Sequence, residues 1–242
     1  DLFRYNGLWH SNLYHSAFSD ADPQRVLDRA NRQIADAHNI LHRTDFLIIT
    51  FGSSWVYMHQ GKVVANCHKL PENNFVRKRL SISDIIDVYK PLLDRIFRTA
   101  PDIKVIISVS PVRYLRDGAV DNSLNKATLL LAVEQLVNTF GRLTYFPAYE
   151  ILLDELRDYR FYADDMVHPS KMTQNIVWQR FAESFFTDET LAFLPHIDKL
   201  HKMLEHNTMH EASDEAVVFK ARIENQKSIV NKYLNACSLM GF

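Results

Sequence analysis

The sequence predicts an α/β protein: a three-layer α/β/α sandwich with a parallel sheet, plus a carboxy-terminal helical extension. Three observations predict it. The apolar runs FLIITF (residues 46–51) and KVIISV (residues 104–109) do not alternate, which is typical of strands covered by helices on both faces. Segments with helical periodicity separate these runs, which favours right-handed strand–helix–strand crossovers. From about Asp188 the chain is polar and helical in character.

The first half of the chain has clear boundary signals. Asp22-Pro23 predicts a helix start, because proline suits the first helical position. Gln60-Gly61 lies between two short apolar stretches and predicts a hairpin turn. The predicted elements are an ordered loop region at 1–19, a helix from 23 to 41, a strand at 46–51 and a hairpin of residues 55–58 and 62–65.

The second half continues the alternation. Ser81 or Ser83 caps the next helix, Pro91 should kink it and Pro101 ends it. The remaining predicted elements are a strand at 104–109, a helix at 127–140, a strand at 143–146 and helices at 151–156 and about 170–186. We expect one domain at residues 1–188 and a helical extension at 189–242.

Composition excludes several classes of protein. The formal net charge of -1 gives no electrostatic footprint for nucleic acid, and no apolar run is long enough to cross a membrane. Cys67 and Cys237 lack CxxC spacing and predict free thiols, which favours a cytoplasmic location although an upstream signal stays open. The first residue is Asp1, so we expect the chain to be part of a longer polypeptide.

The extension allows two interpretations. Its alternating charge favours solvated helices or helices that form a homo-oligomer interface. The alternative is a metal site, because four histidines are scattered along it: His196, His201, His206 and His210.

The most informative motif is Asp165-Met166-Val167-His168-Pro169, just before a predicted helix. On one loop, Asp165 can hold one ring nitrogen of His168 and leave the other as a base. A helix cap with a neighbouring histidine is the alternative.

Ligands of parallel sheets bind at the carboxyl ends of the strands. We therefore expect the Asp165–His168 loop to meet two segments that follow strands, Gly52-Ser53-Ser54-Trp55 and Ser110-Pro111-Val112-Arg113.

Several segments resemble the GSCFA domain family, related to the SGNH (GDSL-like) hydrolases, whose sheet is flavodoxin-like. The resemblance covers residues 1–190 approximately and rests on WHS, ITFGSSWVY, NCHKLP, SVSPVRYLRDG, NKATLLLA and YFPAYEILLDELRDYRFYADDMVHPS. It implies that His168 is the general base and that Asp165 orients it. The Gly-Ser-Cys-Phe-Ala motif, whose serine is the nucleophile, is absent, which implies that the first strand and the nucleophile turn precede Asp1.

The resemblance also implies an oxyanion hole at Gly52, Ser53 and Ser54, where Ser54 replaces the superfamily's asparagine. His10 is then a further candidate donor. Arg113 either binds substrate or pairs with an acid such as Asp117.

Three other sites stay open. Gly52-Ser53-Ser54 could itself be a nucleophile turn, although it lacks the second glycine of GxSxG. Cys67-His68 could be a thiol and base, although neighbours in a strand point to opposite faces. His10 and His15 could join the Asp165–His168 pair as metal ligands.

We expect an acyl-ester hydrolase that needs no cofactor and acts on a small-molecule or carbohydrate ester. The alternative is an inactive, SGNH-like domain that binds a glycan or a partner protein.

Overall fold

The computed structural model describes residues 2–205 and 214–239 of the chain. It divides into two compact units, Asp1–Val177 and Trp178–Phe242, which we describe separately. The strands are β1 (Leu2–Tyr5), β2 (Leu8–Ser11), β3 (Phe46–Phe51), β4 (Trp55–His59), β5 (Lys62–Val64), β6 (Val76–Arg79), β7 (Lys104–Val109) and β8 (Leu143–Phe146). The helices are α1 (Pro23–Leu41), α2 (Ile82–Thr99), α3 (Gly118–Thr139), α4 (Ala148–Glu150), α5 (Lys171–Phe185), α6 (Asp188–Glu205) and α7 (Asp214–Leu239).

The first unit is built on a parallel sheet of the order β3-β7-β8. The central strand β7 is buried over its last five residues, as its continuous apolar sequence predicts. Helices α2 and α3 supply the remainder of the core, to which Leu93, Leu129 and Leu136 contribute fully buried side chains. A mixed α/β fold with a parallel sheet, and with helices at the carboxy-terminal end, is therefore confirmed.

Strand β3 differs from the prediction that helices cover both of its faces. Leu47 and Ile49 pack against the core, but Phe46 and Ile48 are 52% and 53% exposed. In the described sheet β3 pairs with β7 along one side only, so its other edge is open. Complete coverage of β3 is thus wrong for the described residues, because alternate side chains of this edge strand face outward.

The amino-terminal region and α3 also differ from the prediction. Residues 1–19 were expected to be a loop, but β1 and β2 form an antiparallel hairpin through Asn6-Gly7. Both turn residues have positive φ, 47° and 79°, the geometry that an Asn-Gly turn favours. Helix α3 begins at Gly118, nine residues before the predicted start. Its polar first turns hide the helical period from sequence analysis.

The other predicted strands and helices lie within one residue of their predicted limits. Strands β3, β7 and β8 match residue for residue, and Asp22 caps α1 by accepting a hydrogen bond from Gln24 N–H at 2.9 Å. The predicted hairpin is present as β4 and β5, and β6 adds a third antiparallel strand to it. Pro91 lies inside α2, which continues past it to Thr99.

The second unit contains the helices α6 and α7. The rings of Phe193 and Tyr233 stack with centroids 3.8 Å apart, and the buried Gln226 donates to the carbonyl of His196 at 2.9 Å. His206 and His210 lie outside the described residues. Within residues 2–205 and 214–239, no helix is long and apolar enough to cross a membrane.

Candidate functional site

The loop that carries Asp165 and His168 is closed by its own backbone. Tyr162 and Pro169 form an isolated antiparallel bridge, and Ala163 N–H donates to the carbonyl of His168 at 2.8 Å. Met166 N–H donates back to the carbonyl of Ala163 at 2.9 Å, and Met166 has a φ of 56°. A left-handed residue at this point turns the chain back sharply, which brings the two side chains together.

Asp165 makes three hydrogen bonds within this loop. Its Oδ1 accepts from the N–H groups of Val167 and His168, both at 2.9 Å, and its Oδ2 lies 2.6 Å from Nδ1 of His168. The pKa of Asp165 is lowered to about 2 by three donors: first the backbone N–H of His168, then the ring of His168, then the backbone N–H of Val167. A carboxylate at Nδ1 fixes the tautomer with its proton there, so Nε2 is left to act as a base.

The segment after β7 meets this loop directly. The backbone N–H of Arg113 donates to the carbonyl of Val167 at 3.1 Å. Its guanidinium lies 4.0 Å from the ring centre of Tyr162 and 5.2 Å from that of Tyr159. Of the two alternatives for Arg113, the pairing with Asp117 is not present in the structure, because Asp117 accepts two hydrogen bonds from Arg77. Arg113 thus holds the Asp165–His168 loop to the end of β7.

The turn after β3 is held by a residue of α3. The side-chain oxygen of the buried Asn125 accepts from the N–H of Ser54 at 2.6 Å and from its hydroxyl at 2.8 Å. Ser53 is half-buried; its hydroxyl reaches the same oxygen at 3.4 Å and accepts from Trp55 N–H at 3.0 Å. Both donors of Ser54 are therefore committed, whereas the hydroxyl of Ser53 is held less tightly.

Lys126 joins the ends of the two strands. Its side chain is fully buried, and its ammonium donates to the carbonyls of Gly52 at 2.8 Å and Ser110 at 2.7 Å. Burial lowers the pKa of Lys126 to about 8. Since Gly52 follows β3 and Ser110 follows β7, Lys126 fixes both segments at the carboxyl end of the sheet, the end at which Arg113 holds the His168 loop.

Asn125 and Lys126 are not among the site residues that the sequence predicts. The available signal was a polar pair at the start of an otherwise apolar stretch, NKATLLLA. A buried lysine needs acceptors, so such a pair on a core helix indicates carbonyl groups nearby. Which carbonyls it meets, 16 and 74 residues away in sequence, depends on the fold.

His10 lies in a separate, buried cluster. Its Nδ1 is 2.7 Å from the hydroxyl of Ser19 and 3.2 Å from Nδ1 of His68, and its Nε2 is 3.1 Å from the carbonyl of Tyr5. Nε2 of His68 lies 2.7 Å from the carbonyl of Ser11. Both nitrogens of His10 thus have partners within this cluster, and its role at the oxyanion stays a prediction.

The structure also places the residues of the other candidate sites, the thiol of Cys67 and the proposed metal ligand His15. Cys67 and Cys237 are free thiols, and burial raises the pKa of Cys67, which disfavours the reactive thiolate. His15 caps a short helix through the N–H of Ala17. Among the residues that the structure describes, no group of three or more His, Cys, Asp and Glu side chains is arranged to hold a metal ion.

The fold and the site together define an α/β protein with an Asp–His pair on a loop at the carboxyl end of a parallel sheet. The chain belongs to the GSCFA family, whose model matches residues 1–181. No curated protein and no solved structure gives a significant match.

Proposed function

We propose that this chain is part of an SGNH-type acyl-ester hydrolase, in which His168 is the general base and Asp165 orients it. The observation that carries the proposal is the 2.6 Å contact between Asp165 Oδ2 and His168 Nδ1. The nucleophile is a serine on a further strand, on the amino-terminal side, that pairs with the open edge of β3. The unpaired backbone edge of β3 in the described sheet supports that position, because a strand there would satisfy its N–H and C=O groups.

In the proposed mechanism the serine hydroxyl attacks the acyl carbonyl carbon while His168 Nε2 takes its proton. Asp165 stabilises the resulting imidazolium. The tetrahedral oxyanion then collapses, and His168 returns the proton to the leaving alcohol. This step breaks the ester bond to the alcohol and leaves an acyl-serine. Water then attacks the acyl carbon while the same imidazole takes its proton. The second tetrahedral oxyanion collapses with cleavage of the bond to the serine oxygen, which receives the proton from His168, so that the acid and the free serine are released.

The turn after β3 supplies the oxyanion donor in this proposal. Because Ser54 gives both of its donors to Asn125, we assign the donor role to the hydroxyl of Ser53 and a positioning role to Ser54. A hydroxyl is directed less rigidly than the carboxamide found in the superfamily, so we expect modest rates.

A second candidate function is binding without catalysis, of a glycan or a partner protein. The commitment of both Ser54 donors favours it, because it removes the donor that the superfamily places at this position. The two functions differ in turnover, which a direct assay measures.

The test is hydrolysis of p-nitrophenyl acetate by the 242-residue chain and by the polypeptide as encoded in full. We expect little turnover by the chain alone. The full polypeptide should hydrolyse the ester, with a fall in kcat/KM of about 10³-fold or more in His168→Ala. His38→Ala, an exposed histidine of α1, is the matched control and should retain activity.

Three results would redirect the proposal. Strong turnover by the chain alone that is lost in Ser53→Ala would place the nucleophile in the turn itself. Activity lost on dialysis against a chelator, and restored by a divalent ion, would indicate metal-activated water and exclude the serine mechanism. Absence of turnover in the full polypeptide would favour the binding function.

A further inference from the structure

A cavity of about 470 Å³ lies beside the turn after β3. Its walls come from β3, from the small sheet of β4, β5 and β6, and from α2 and α3. Ligand sites of folded proteins commonly occupy about 300–1,000 Å³, so the volume is that of a binding site more than of a packing defect.

The cavity has a buried apolar floor and an open rim. Phe51, Ile85 and Leu129 on the floor are each less than 10% exposed, whereas Val63 and Val88 at the rim are 50% and 61% exposed. A ligand therefore enters past two valines and meets mainly hydrocarbon. Such a lining favours an aliphatic group over a sugar, whose hydroxyls would lose their hydrogen bonds with water.

The polar groups of the cavity are few: two serines, one ion pair and the phenol of Tyr89. Ser53 and Ser54 form part of the wall at the turn that follows β3. Lys78 and Asp84 also line the cavity, and they neutralise each other across 3.1 Å. The cavity thus suits an uncharged occupant, whose polar atoms can meet the two serines or the phenol of Tyr89.

We propose that this cavity binds the acyl chain of the substrate, a linear aliphatic group of about eight carbon atoms whose carbonyl lies at the Ser53 end. The volume is about three times the roughly 150 Å³ of a cavity that accommodates benzene, which allows a chain of this length. The inference rests on the proposed function and narrows its substrate to esters of medium-chain fatty acids.

The test uses 1-butanol, 1-hexanol and 1-octanol as uncharged probes, with the methyl NMR signals of Val88 and Ile85 as readout. Each methylene that enters an apolar site should tighten binding about fourfold, so 1-octanol should bind about 16-fold more tightly than 1-hexanol. Affinity that does not depend on chain length, or absence of saturable shifts at these methyls, would overturn the proposal.

Variants locate the binding. Val88→Trp on α2 and Val63→Trp on β5 should each weaken 1-octanol binding at least tenfold by filling the rim. Val120→Trp, the same exchange at an exposed position of α3 outside the cavity, should change it less than twofold. Because both rim valines are largely exposed, the variants should fold, which circular dichroism checks. Equal affinity in the rim variants and the control would overturn the proposal.

Failure of the pocket and failure of the hydrolase are distinguishable. His168→Ala should bind 1-octanol as the parent chain does, because His168 does not line the cavity. Alkanol binding by a full polypeptide that shows no ester turnover would leave the pocket and remove the hydrolase. Equal kcat/KM for acetyl and octanoyl esters, with no alkanol binding, would leave the hydrolase and remove the pocket.

Discussion

The side-chain oxygen of Asn125 accepts hydrogen bonds from both the N–H and the hydroxyl of Ser54, at 2.6 and 2.8 Å. Both residues are fully buried, so neither donor of Ser54 can turn to water instead. This relationship fixes the turn after β3 from a helix that follows it by about 70 residues in sequence. It also makes the shape of the turn depend on a single carboxamide.

We expect Asn125→Ala to lower the free energy of unfolding by about 2–4 kcal/mol, because it leaves two buried donors without an acceptor. Ser123→Ala on the same helix removes only an exposed hydroxyl that donates to the carbonyl of Ala119, and should change stability by less than about 0.5 kcal/mol. Urea unfolding of both variants measures the difference. A loss in Asn125→Ala as small as in the control would show that the turn does not depend on this carboxamide.

The buried Lys126 should make the free energy of unfolding increase with pH in the alkaline range. Burial lowers its pKa from 10.5 to about 8, so between these values the unfolded chain binds more protons than the folded chain. The free energy of unfolding should therefore increase, by at most about 1.4 kcal/mol per pH unit, as pH rises from 8 to 10.5. The neutral amine can still donate to both carbonyls, so the strand ends stay joined.

The measurement compares the parent chain with Lys126→Met at several pH values in that range. The difference isolates Lys126 from the tyrosines and thiols that also titrate. The free energy of unfolding of the parent should increase relative to that of Lys126→Met as pH rises. The difference between the parent and Lys90→Met, an exposed position on α2 at which Lys126 is kept, should show no such increase. A flat difference for Lys126→Met would contradict the lowered pKa.

Asp165 should titrate near pH 2. In His168→Ala the side-chain partner is lost, but the N–H groups of residues 167 and 168 still donate, so the pKa should rise and yet stay below 3.8. Carbonyl NMR of the aspartates measures it, with Asp84, whose partners are Ser81 and Lys78, as an internal control that should not move. The stabilisation from Asp165 is complete above pH 3.8 and is lost as pH falls through 2. A value of 3.8 in the parent chain would disprove the paired geometry.

Protonation of His68 should lower the stability of the folded chain in mild acid. Burial, and then the neighbouring His10 and His15, lower its pKa below 6.5, so the unfolded chain binds more protons just below that pH. The stabilisation is therefore present above pH 6.5 and is lost as pH falls below it. Thermal unfolding of the parent between pH 7 and 5 should show a fall in Tm that is smaller in His68→Gln. His59→Gln is the control, and an equal fall in all three proteins would count against the buried cluster.

The sequence alone determined the features that depend on neighbouring residues. The runs at 46–51 and 104–109 are strands because a short apolar sequence bounded by polar residues favours a buried extended segment, and Asp22-Pro23 starts α1 because its cap is local. The Asp165–His168 pair is local in the same way, since only two residues lie between its members and a single turn brings them together. The Asn6-Gly7 hairpin is equally local, because an Asn-Gly pair by itself favours this turn.

Only the tertiary structure decided which distant groups meet. Asn125 reaches Ser54, and Lys126 reaches the carbonyls of Gly52 and Ser110, because α3 packs against the parallel sheet. The open edge of β3 is likewise a property of strand order, since the same apolar run fits a central or an edge strand. Periodicity and capping act over a few residues, whereas hydrogen bonds between α3 and the strand ends depend on how the whole sheet assembles, which no local pattern encodes.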